Sequence, residues 1–118
     1  MTKILVIEDE AGIRMTLSLM LKAEGFDVST AENGRAGIEA ARANTPDLIL
    51  CDVNMPELNG FEVLEQLHRE PALAATPFVF LTARVDRSDM RHGMNLGADD
   101  YLTKPFTRDE LLETVTAR

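Results

Sequence analysis

Three short apolar runs constrain the fold of this chain more than any other feature of its sequence. They read KILVI at Lys3 to Ile7, LILC at Leu48 to Cys51 and FVFL at Phe78 to Leu81. Apart from Lys3, each run is apolar without alternation and is bounded by polar or turn-forming residues, which is typical of strands buried on both faces of a parallel sheet. The chain is therefore predicted to form a parallel sheet that is covered by helices.

Weaker patterns complete an alternation of strand and helix. Further strands are expected at Asp27 to Ala31 and at Tyr101-Leu102. Helices are expected at about Ala11 to Glu24, Ala36 to Arg42, Gly60 to Arg69, Asp86 to Leu96 and Asp109 to Arg118. Five strand–helix units in succession predict an α/β fold, with one parallel sheet, helices on both of its faces and right-handed crossovers.

Length, charge and cysteine content narrow the class of protein. The 118 residues are enough for one domain, residues 1–118, with a buried core. A net charge of −8 argues against direct binding to nucleic acid, because such binding needs a basic face. A single Cys excludes an internal disulfide, and no apolar stretch approaches the length of a membrane span. We therefore expect a cytoplasmic protein that binds neither nucleic acid nor membrane.

Reactive side chains stand where the predicted strands end. Glu8 and Asp9 follow the first strand, Asp52 ends the third, and Thr82 and Lys104 follow the fourth and fifth. The carboxyl ends of parallel strands share one edge of the sheet, where open α/β folds place their chemistry. Three acids in one place raise one another's pKa unless a cation intervenes, and Mg²⁺ accepts carboxylate and phosphate oxygens. The sequence therefore predicts a Mg²⁺ site at this edge.

Phosphoryl chemistry suits this set of side chains. Asp52 is a candidate oxygen nucleophile toward phosphorus, which would give an aspartyl phosphate. Such a transfer depends mainly on positioning and on cations that meet the equatorial oxygens. Lys104 is a candidate for one such cation, and the Thr82 hydroxyl is a candidate donor to another oxygen once the phosphoryl group is present.

The chain resembles the receiver domain of two-component response regulators, the CheY-like superfamily, over essentially its whole length. The resemblance is carried by the segments ILVIEDE, DLILCDVNMPELNG, FLTA and GADDYLTKPF in this order and spacing. It implies a flavodoxin-like (βα)5 three-layer sandwich with strand order 2-1-3-4-5. It also implies a phosphorelay switch that accepts a phosphoryl group from a sensor histidine kinase or a phosphotransfer protein. Such a domain is regulatory, not an enzyme, and promotes its own phosphorylation and dephosphorylation.

The resemblance assigns roles to individual residues. Asp52 is the implied phosphoacceptor in a Mg²⁺-dependent reaction. The implied metal ligands are Glu8, Asp9, Asp52 and the main-chain carbonyl of Asn54. Thr82 and Lys104 are expected to act on the phosphoryl group, Tyr101 to turn inward when Thr82 moves, and the Lys104-Pro105 bond to be cis. Many relatives carry Asp in place of Glu8, so the longer Glu8 is expected to reach the ion through water.

Two surfaces are candidates for partner binding. Met15 and Leu19 fall about 160° from the apolar stripe of the first helix, at the helical step of about 100° per residue. We expect both to be exposed and to dock on the helices of the kinase, with Pro56 and Pro105 also at this surface. The opposite face, residues 86–118, is the expected output surface toward an output domain or a partner protein.

The output face departs from one pattern of the family. Some transcription-regulating relatives dimerise there through acid–arginine pairs, and Asp99, Asp100, Glu110 and Arg91 supply part of such a set. However, the last helix carries Glu113, Thr114 and Thr116, where those relatives favour basic residues. This departure argues against that mode of dimerisation.

Three other functions remain as alternatives. A phosphatase with an Asp nucleophile needs a second Asp two residues later as acid and base, and this chain has Asn54 there. A flavodoxin needs Ser, Thr and Gly donors around the flavin phosphate after the first strand, and this chain has acids. A degenerate receiver that serves only for docking would not need the set Asp9, Asp52, Thr82 and Lys104.

Overall fold

Strands and helices alternate along the chain as the apolar runs predict. The computed structural model describes residues 2–83 and 87–117, and only the backbone of residues 87–89. The strands are β1 (Lys3–Ile7), β2 (Asp27–Ala31), β3 (Leu48–Asp52), β4 (Phe78–Thr82) and β5 (Asp100–Thr103). The helices are α1 (Ala11–Ala23), α2 (Gly34–Ala43), α3 (Gly60–His68), α4 (Arg87–Asn95) and α5 (Arg108–Thr116).

The strands form one parallel sheet in the order β2-β1-β3-β4-β5, which confirms the flavodoxin-like three-layer fold. Every residue of β3 and of β4 is buried, because helices cover both faces of these strands. In contrast, the edge strand β2 is largely exposed. The most apolar runs of the sequence therefore take the central and neighbouring positions of the sheet.

Two hydrophobic cores lie on opposite faces of the sheet, because successive side chains of a strand point to opposite sides. The first core packs α2 and α3 against the sheet around Phe80. The second core packs α1 and α5 around Leu50. Both cores contain fully buried side chains from β1, β3 and β4. These strands are therefore held rigidly, and so are the residues at their carboxyl ends.

The ends of the helices follow local chemistry. α1 ends at Ala23, and Gly25 follows shortly after with a φ of +88°, which is easily adopted only by a residue without Cβ. Asn33 caps α2 through a bond from the Ala36 amide, as the asparagine predicts. α5 starts at Arg108, one residue before the predicted start, because Thr107 and Glu110 form a capping box. Two predicted helix boundaries, the start at Asp86 and the end at Arg118, lie outside the residues that the structure describes.

The loop after β3 contains one strained residue. Glu57 has a φ of +67°, a left-handed conformation that costs a residue with a Cβ about 1–2 kcal/mol. Glu57→Gly removes this cost but adds about 0.5–1 kcal/mol of unfolded-state entropy. We expect a net gain of about 0.5 kcal/mol in the free energy of unfolding, measured in urea.

Glu39→Gly is the control for this substitution, because Glu39 is an exposed residue of a helix. Its replacement is expected to lower the free energy of unfolding by about 1 kcal/mol. A loss of stability in Glu57→Gly as large as that in Glu39→Gly would contradict the assignment of strain to position 57.

Candidate functional site

The register of the sheet brings the predicted residues to one edge. Ile7 pairs with Cys51, so Glu8 lies next to Asp52 at the ends of β1 and β3. Asp52 pairs with Leu81, and Thr82 pairs with Thr103. Lys104 follows directly, and its amide donates to the Thr82 carbonyl at 2.7 Å. The sheet alone therefore gathers residues that are as far apart as 8 and 104 in sequence.

Three carboxylates form a tight cluster at this edge. Oxygen atoms from Glu8, Asp9 and Asp52 all lie within 4.8 Å of one another. Asp9 is exposed, whereas Asp52 is buried and Glu8 is 0% exposed. The complete burial of Glu8 requires a partner of opposite charge.

Lys104 is that partner. Its Nζ lies 2.5 Å from Glu8 Oε1 and 3.3 Å from Asp52 Oδ1. Burial by itself lowers the pKa of Lys104, but the hydrogen bond to Glu8 and the charges of Asp52 and Glu8 outweigh it, and the net pKa is raised. Lys104 therefore stays an ammonium. Its Nζ lies closer to Glu8 than to Asp52.

Asp52 has an unusual acidity in this setting. Its burial and the nearby charge of Glu8 raise its pKa from 3.8 to about 7, although Lys104 opposes the rise. Three carboxylates face one ammonium at this edge, so the cluster carries an excess of negative charge when all are ionised. A divalent cation would cancel this excess, and oxygen ligands are those that Mg²⁺ prefers. The residues therefore fit the predicted metal.

The loop after Asp52 completes the edge. Gly60 packs against the backbone of Asp52, since a Cβ at Gly60 would overlap the Asp52 carbonyl. Asn54 lies in this loop and is exposed. Its main-chain carbonyl remains a predicted ligand. The bond between Lys104 and Pro105 is cis, as the resemblance implies.

Thr82 and Tyr101 lie on neighbouring strands, where the resemblance places a switch. Thr82 is 5% exposed and Tyr101 is half-buried, with its ring centroid 5.3 Å from that of Phe80. The Tyr101 hydroxyl occupies the space that a Cβ on Gly93 of α4 would take. This contact explains a glycine inside a helix, which the sequence alone shows only as an unfavourable residue.

The predicted docking residues are exposed but line separate depressions. Met15 and Leu19 are 65% and 64% exposed and line a groove of about 390 Å³. Pro105 lines a second groove, of about 540 Å³, with Ile13 and Met20 of α1. Pro56 is exposed in a third, small depression. Both larger grooves flank α1, so this helix is the centre of the candidate docking surface.

One residue of the site was missed by sequence reasoning. Arg14 of α1 donates from its guanidinium to the carbonyl of Glu8 at 2.7 Å. A single arginine in an amphipathic helix carries no pattern that distinguishes such a bond from ordinary surface charge. The contact is visible only once the turn between β1 and α1 is built.

The fold and the edge cluster together define one class of protein. A doubly wound sheet of order 2-1-3-4-5, with acids and a lysine at its carboxyl edge, is a CheY-like flavodoxin fold. The family model described as response regulator receiver domain matches residues 4–116. The chain belongs to this family, the receiver domains of two-component response regulators.

Individual relatives agree with this assignment. The response regulator ArlR of Staphylococcus saprophyticus is 41% identical over 117 residues, which is 99% of this chain and 52% of ArlR. The cell cycle response regulator CtrA of Brucella ovis is 39% identical over 115 residues, 98% of this chain and 49% of CtrA. The chain thus spans about half the length of the curated relatives it matches.

Solved structures of response regulators also have the fold of this chain. The chemotaxis protein CheY4 of Vibrio cholerae has a TM-score of 0.96 and 33% identity, covering 99% of this chain and 98% of that one. A response regulator described as putative, from Chloroflexus aurantiacus, has a TM-score of 0.93 and 31% identity, covering 98% and 95% of the two chains. None of the helices in the described part of the chain has the length and apolar composition that a membrane crossing requires.

Proposed function

We propose that Asp52 is the phosphoacceptor of a two-component phosphorelay. The observation that carries the proposal is the edge cluster, in which Glu8, Asp9 and Asp52 converge within 4.8 Å beside the Lys104 ammonium. The donor is a phosphohistidine on a sensor histidine kinase or a phosphotransfer protein. An Asp52 oxygen forms a bond to phosphorus, the bond from phosphorus to the imidazole nitrogen breaks, and the imidazole leaves with its electron pair and takes up a proton.

The proposed metal is Mg²⁺. Asp9, Asp52 and the main-chain carbonyl of Asn54 would hold it directly. Glu8 would act through water, since its side chain is longer than that of Asp and its Oε2 already accepts a hydrogen bond from the amide of Glu10. When bound, Mg²⁺ supplies positive charge to the phosphoryl oxygens.

Two further side chains are proposed to act on the phosphoryl group. Lys104 moves from Glu8 toward a phosphoryl oxygen, which requires only a change of partner because Asp52 is already 3.3 Å away. The Thr82 hydroxyl donates to another oxygen. The phosphoryl oxygens, with a total charge of about −1.5 to −2, thereby draw Thr82 toward the edge, and Tyr101 follows into the space that Thr82 leaves.

Beryllofluoride, which stands in for a phosphoryl group, tests this proposal without a kinase. We expect bound fluorine signals in ¹⁹F spectra of the wild-type protein with Mg²⁺ and beryllofluoride. No such signals are expected from Asp52→Asn or in excess EDTA. Equal bound signals from the wild type and Asp52→Asn would refute Asp52 as the acceptor.

The proposed kinase-docking surface is α1 with Met15 and Leu19, together with Pro56 and Pro105. The double change Met15→Ser and Leu19→Ser removes apolar contact area that a partner helix would bury. We expect phosphotransfer from a purified cognate kinase to slow by about tenfold, the effect of roughly 1.4 kcal/mol of lost contact. Labelling by acetyl phosphate should be unchanged, because this small donor needs no docking surface. An unchanged rate from the kinase would exclude this patch.

The switch proposed for Tyr101 has a direct reporter, because the chain has one Tyr and no Trp. Gly93→Ala places a Cβ where the Tyr101 hydroxyl lies and 2.8 Å from Phe80. We therefore expect Tyr101 to turn outward, so that acrylamide quenches its fluorescence more strongly and beryllofluoride changes this quenching less. Gly12→Ala is the matched control, because a Cβ there meets no atom within 4 Å. Equal quenching in the wild type and Gly93→Ala would contradict the packing role of Gly93.

The output is proposed to pass through the face formed by residues 86–118. ArlR and CtrA are about twice as long as this chain, which supports an attached output domain. CheY4 is matched over nearly its whole length, which supports a separate partner.

We propose no direct contact of this domain with nucleic acid, in keeping with its net charge of −8. A cytoplasmic location remains the proposal, since a lone cysteine suits a reducing compartment.

The proposed role is regulatory and not that of a phosphatase. Asn54 stands two residues after Asp52, where an aspartyl phosphatase needs an acid and base. The domain would promote its own phosphorylation and dephosphorylation, and its aspartyl phosphate would accumulate and not turn over quickly. Sustained turnover of p-nitrophenyl phosphate would favour the enzyme instead.

A further inference from the structure

Four hydrogen bonds hold Glu8 in place between β1 and α1. Its amide donates to the Ala31 carbonyl at 3.1 Å, and its Oε2 accepts from the Glu10 amide at 3.1 Å. Its Oε1 accepts from Lys104 at 2.5 Å. Its carbonyl accepts from the Arg14 guanidinium at 2.7 Å. Four separate groups therefore hold the residue that directly precedes the proposed metal ligand Asp9.

The first turn of α1 lacks a side-chain cap. The N-cap of α1, Glu10, makes no side-chain capping bond. By contrast, the N-caps Asn33, Asn59 and Thr107 of α2, α3 and α5 each accept a bond from a backbone amide. Among these four helices, α1 alone starts without a capping side chain, so the order of its first turn depends on other contacts.

We propose that Arg14 is a positioning residue for the metal and phosphoryl site. Its guanidinium holds the Glu8 carbonyl, which fixes the turn and thus the direction of the exposed Asp9 carboxylate. Groups that orient metal ligands from behind affect metal affinity by about 10–100-fold. The inference rests on the proposed function, because it assumes that this turn binds Mg²⁺.

The charge of Arg14 and its hydrogen bond to the Glu8 carbonyl predict opposite effects of its removal on Mg²⁺ affinity. Removing a positive side chain next to the Glu8 carbonyl should strengthen Mg²⁺ binding if only charge mattered. If Arg14 acts by position, Arg14→Met, which has no donor, should weaken Mg²⁺ binding, although it removes a competing cation. The sign of the change therefore separates the two roles.

The test is a Mg²⁺ titration by calorimetry, with beryllofluoride binding in ¹⁹F spectra as a second readout. We expect Arg14→Met to bind Mg²⁺ about tenfold more weakly than the wild type. Arg14→Lys retains a donor for the Glu8 carbonyl, so it should recover most of the affinity. Arg69→Met, at an exposed position after α3, makes the same change in net charge and should bind Mg²⁺ as the wild type does.

Each result decides the matter. Mg²⁺ affinity in Arg14→Met that equals or exceeds that of the wild type would overturn the inference, and so would an equal loss in Arg69→Met. If Arg14→Met does not fold, Arg14→Ala is used with the same expectation. Absence of Mg²⁺ binding by the wild-type protein would instead refute the proposed function.

Discussion

Asp52→Asn is expected to stabilise the metal-free protein by about 1–2 kcal/mol at pH 8 and to leave its stability unchanged near pH 3. The reason is that the wild-type protein must keep a buried carboxylate ionised beside Glu8, which raises the pKa of Asp52 from 3.8 to about 7. A shift of this size corresponds to about 4 kcal/mol at full strength. We reduce that value because the edge borders solvent, which screens such charges.

The direction of the pH dependence follows from proton binding. Between about pH 4 and pH 7 the folded protein holds a proton on Asp52 that the unfolded chain has released. The free energy of unfolding of the wild type therefore falls as the pH rises through this window and is constant with respect to this group above it. The amide of Asn does not titrate, so the variant lacks this loss.

Urea denaturation in EDTA across this pH range measures the effect. Asp27→Asn is the control, because it removes an exposed carboxylate on the edge strand β2. Addition of Mg²⁺ should stabilise the wild type and leave Asp52→Asn nearly unaffected, since only a ligand that binds the folded state raises its stability. If the free energy of unfolding depends on pH in the same way in the wild type and in Asp52→Asn, ionisation of Asp52 does not destabilise the folded protein.

Lys104→Gln is expected to slow phosphorylation by acetyl phosphate on the order of 100-fold, the typical cost of removing one group that stabilises transition-state charge. Lys104 is the ammonium 3.3 Å from Asp52, and its raised pKa keeps it charged. Glutamine can still donate a hydrogen bond but carries no charge. The rate is measured by intact mass at saturating Mg²⁺.

Two controls separate this effect from a general loss of charge or of folding. Lys22→Gln, in the exposed last turn of α1, makes the same substitution away from the edge and should react at the wild-type rate. Circular dichroism with Mg²⁺ shows whether Lys104→Gln is folded, which matters because the change leaves the buried Glu8 without its ion pair. A folded Lys104→Gln that reacts as fast as the wild type would remove Lys104 from the proposed mechanism.

Much of the fold was predictable, because the constraint lies in local patterns. The apolar runs at Lys3, Leu48 and Phe78 could be buried only as central strands, and a parallel sheet then places all their ends together. This step brought Asp52, Thr82 and Lys104 to one edge without any knowledge of side-chain positions. The strand order itself came from the resemblance, not from periodicity.

The details of the site were not predictable in the same way. The ion pair between Glu8 and Lys104 joins residues 96 positions apart. It depends on whether the ammonium lies closer to Glu8 or to Asp52, which no sequence pattern indicates. The bond from Arg14 to the Glu8 carbonyl depends on the path of one turn. The start of α5 was within reach, because Thr107 and Glu110 show the spacing of a capping box.

The central claim is that Lys104 and Mg²⁺ together offset the negative charge of the carboxylate cluster. Asp52 can then accept a phosphoryl group, which is itself an anion. Intact-mass analysis after incubation with acetyl phosphate tests it most directly. The account predicts the gain of one phosphoryl group by the wild type with Mg²⁺, and none in EDTA or in Asp52→Asn. A wild type that gains no mass, or an Asp52→Asn variant that gains the same mass at the same rate, would contradict it.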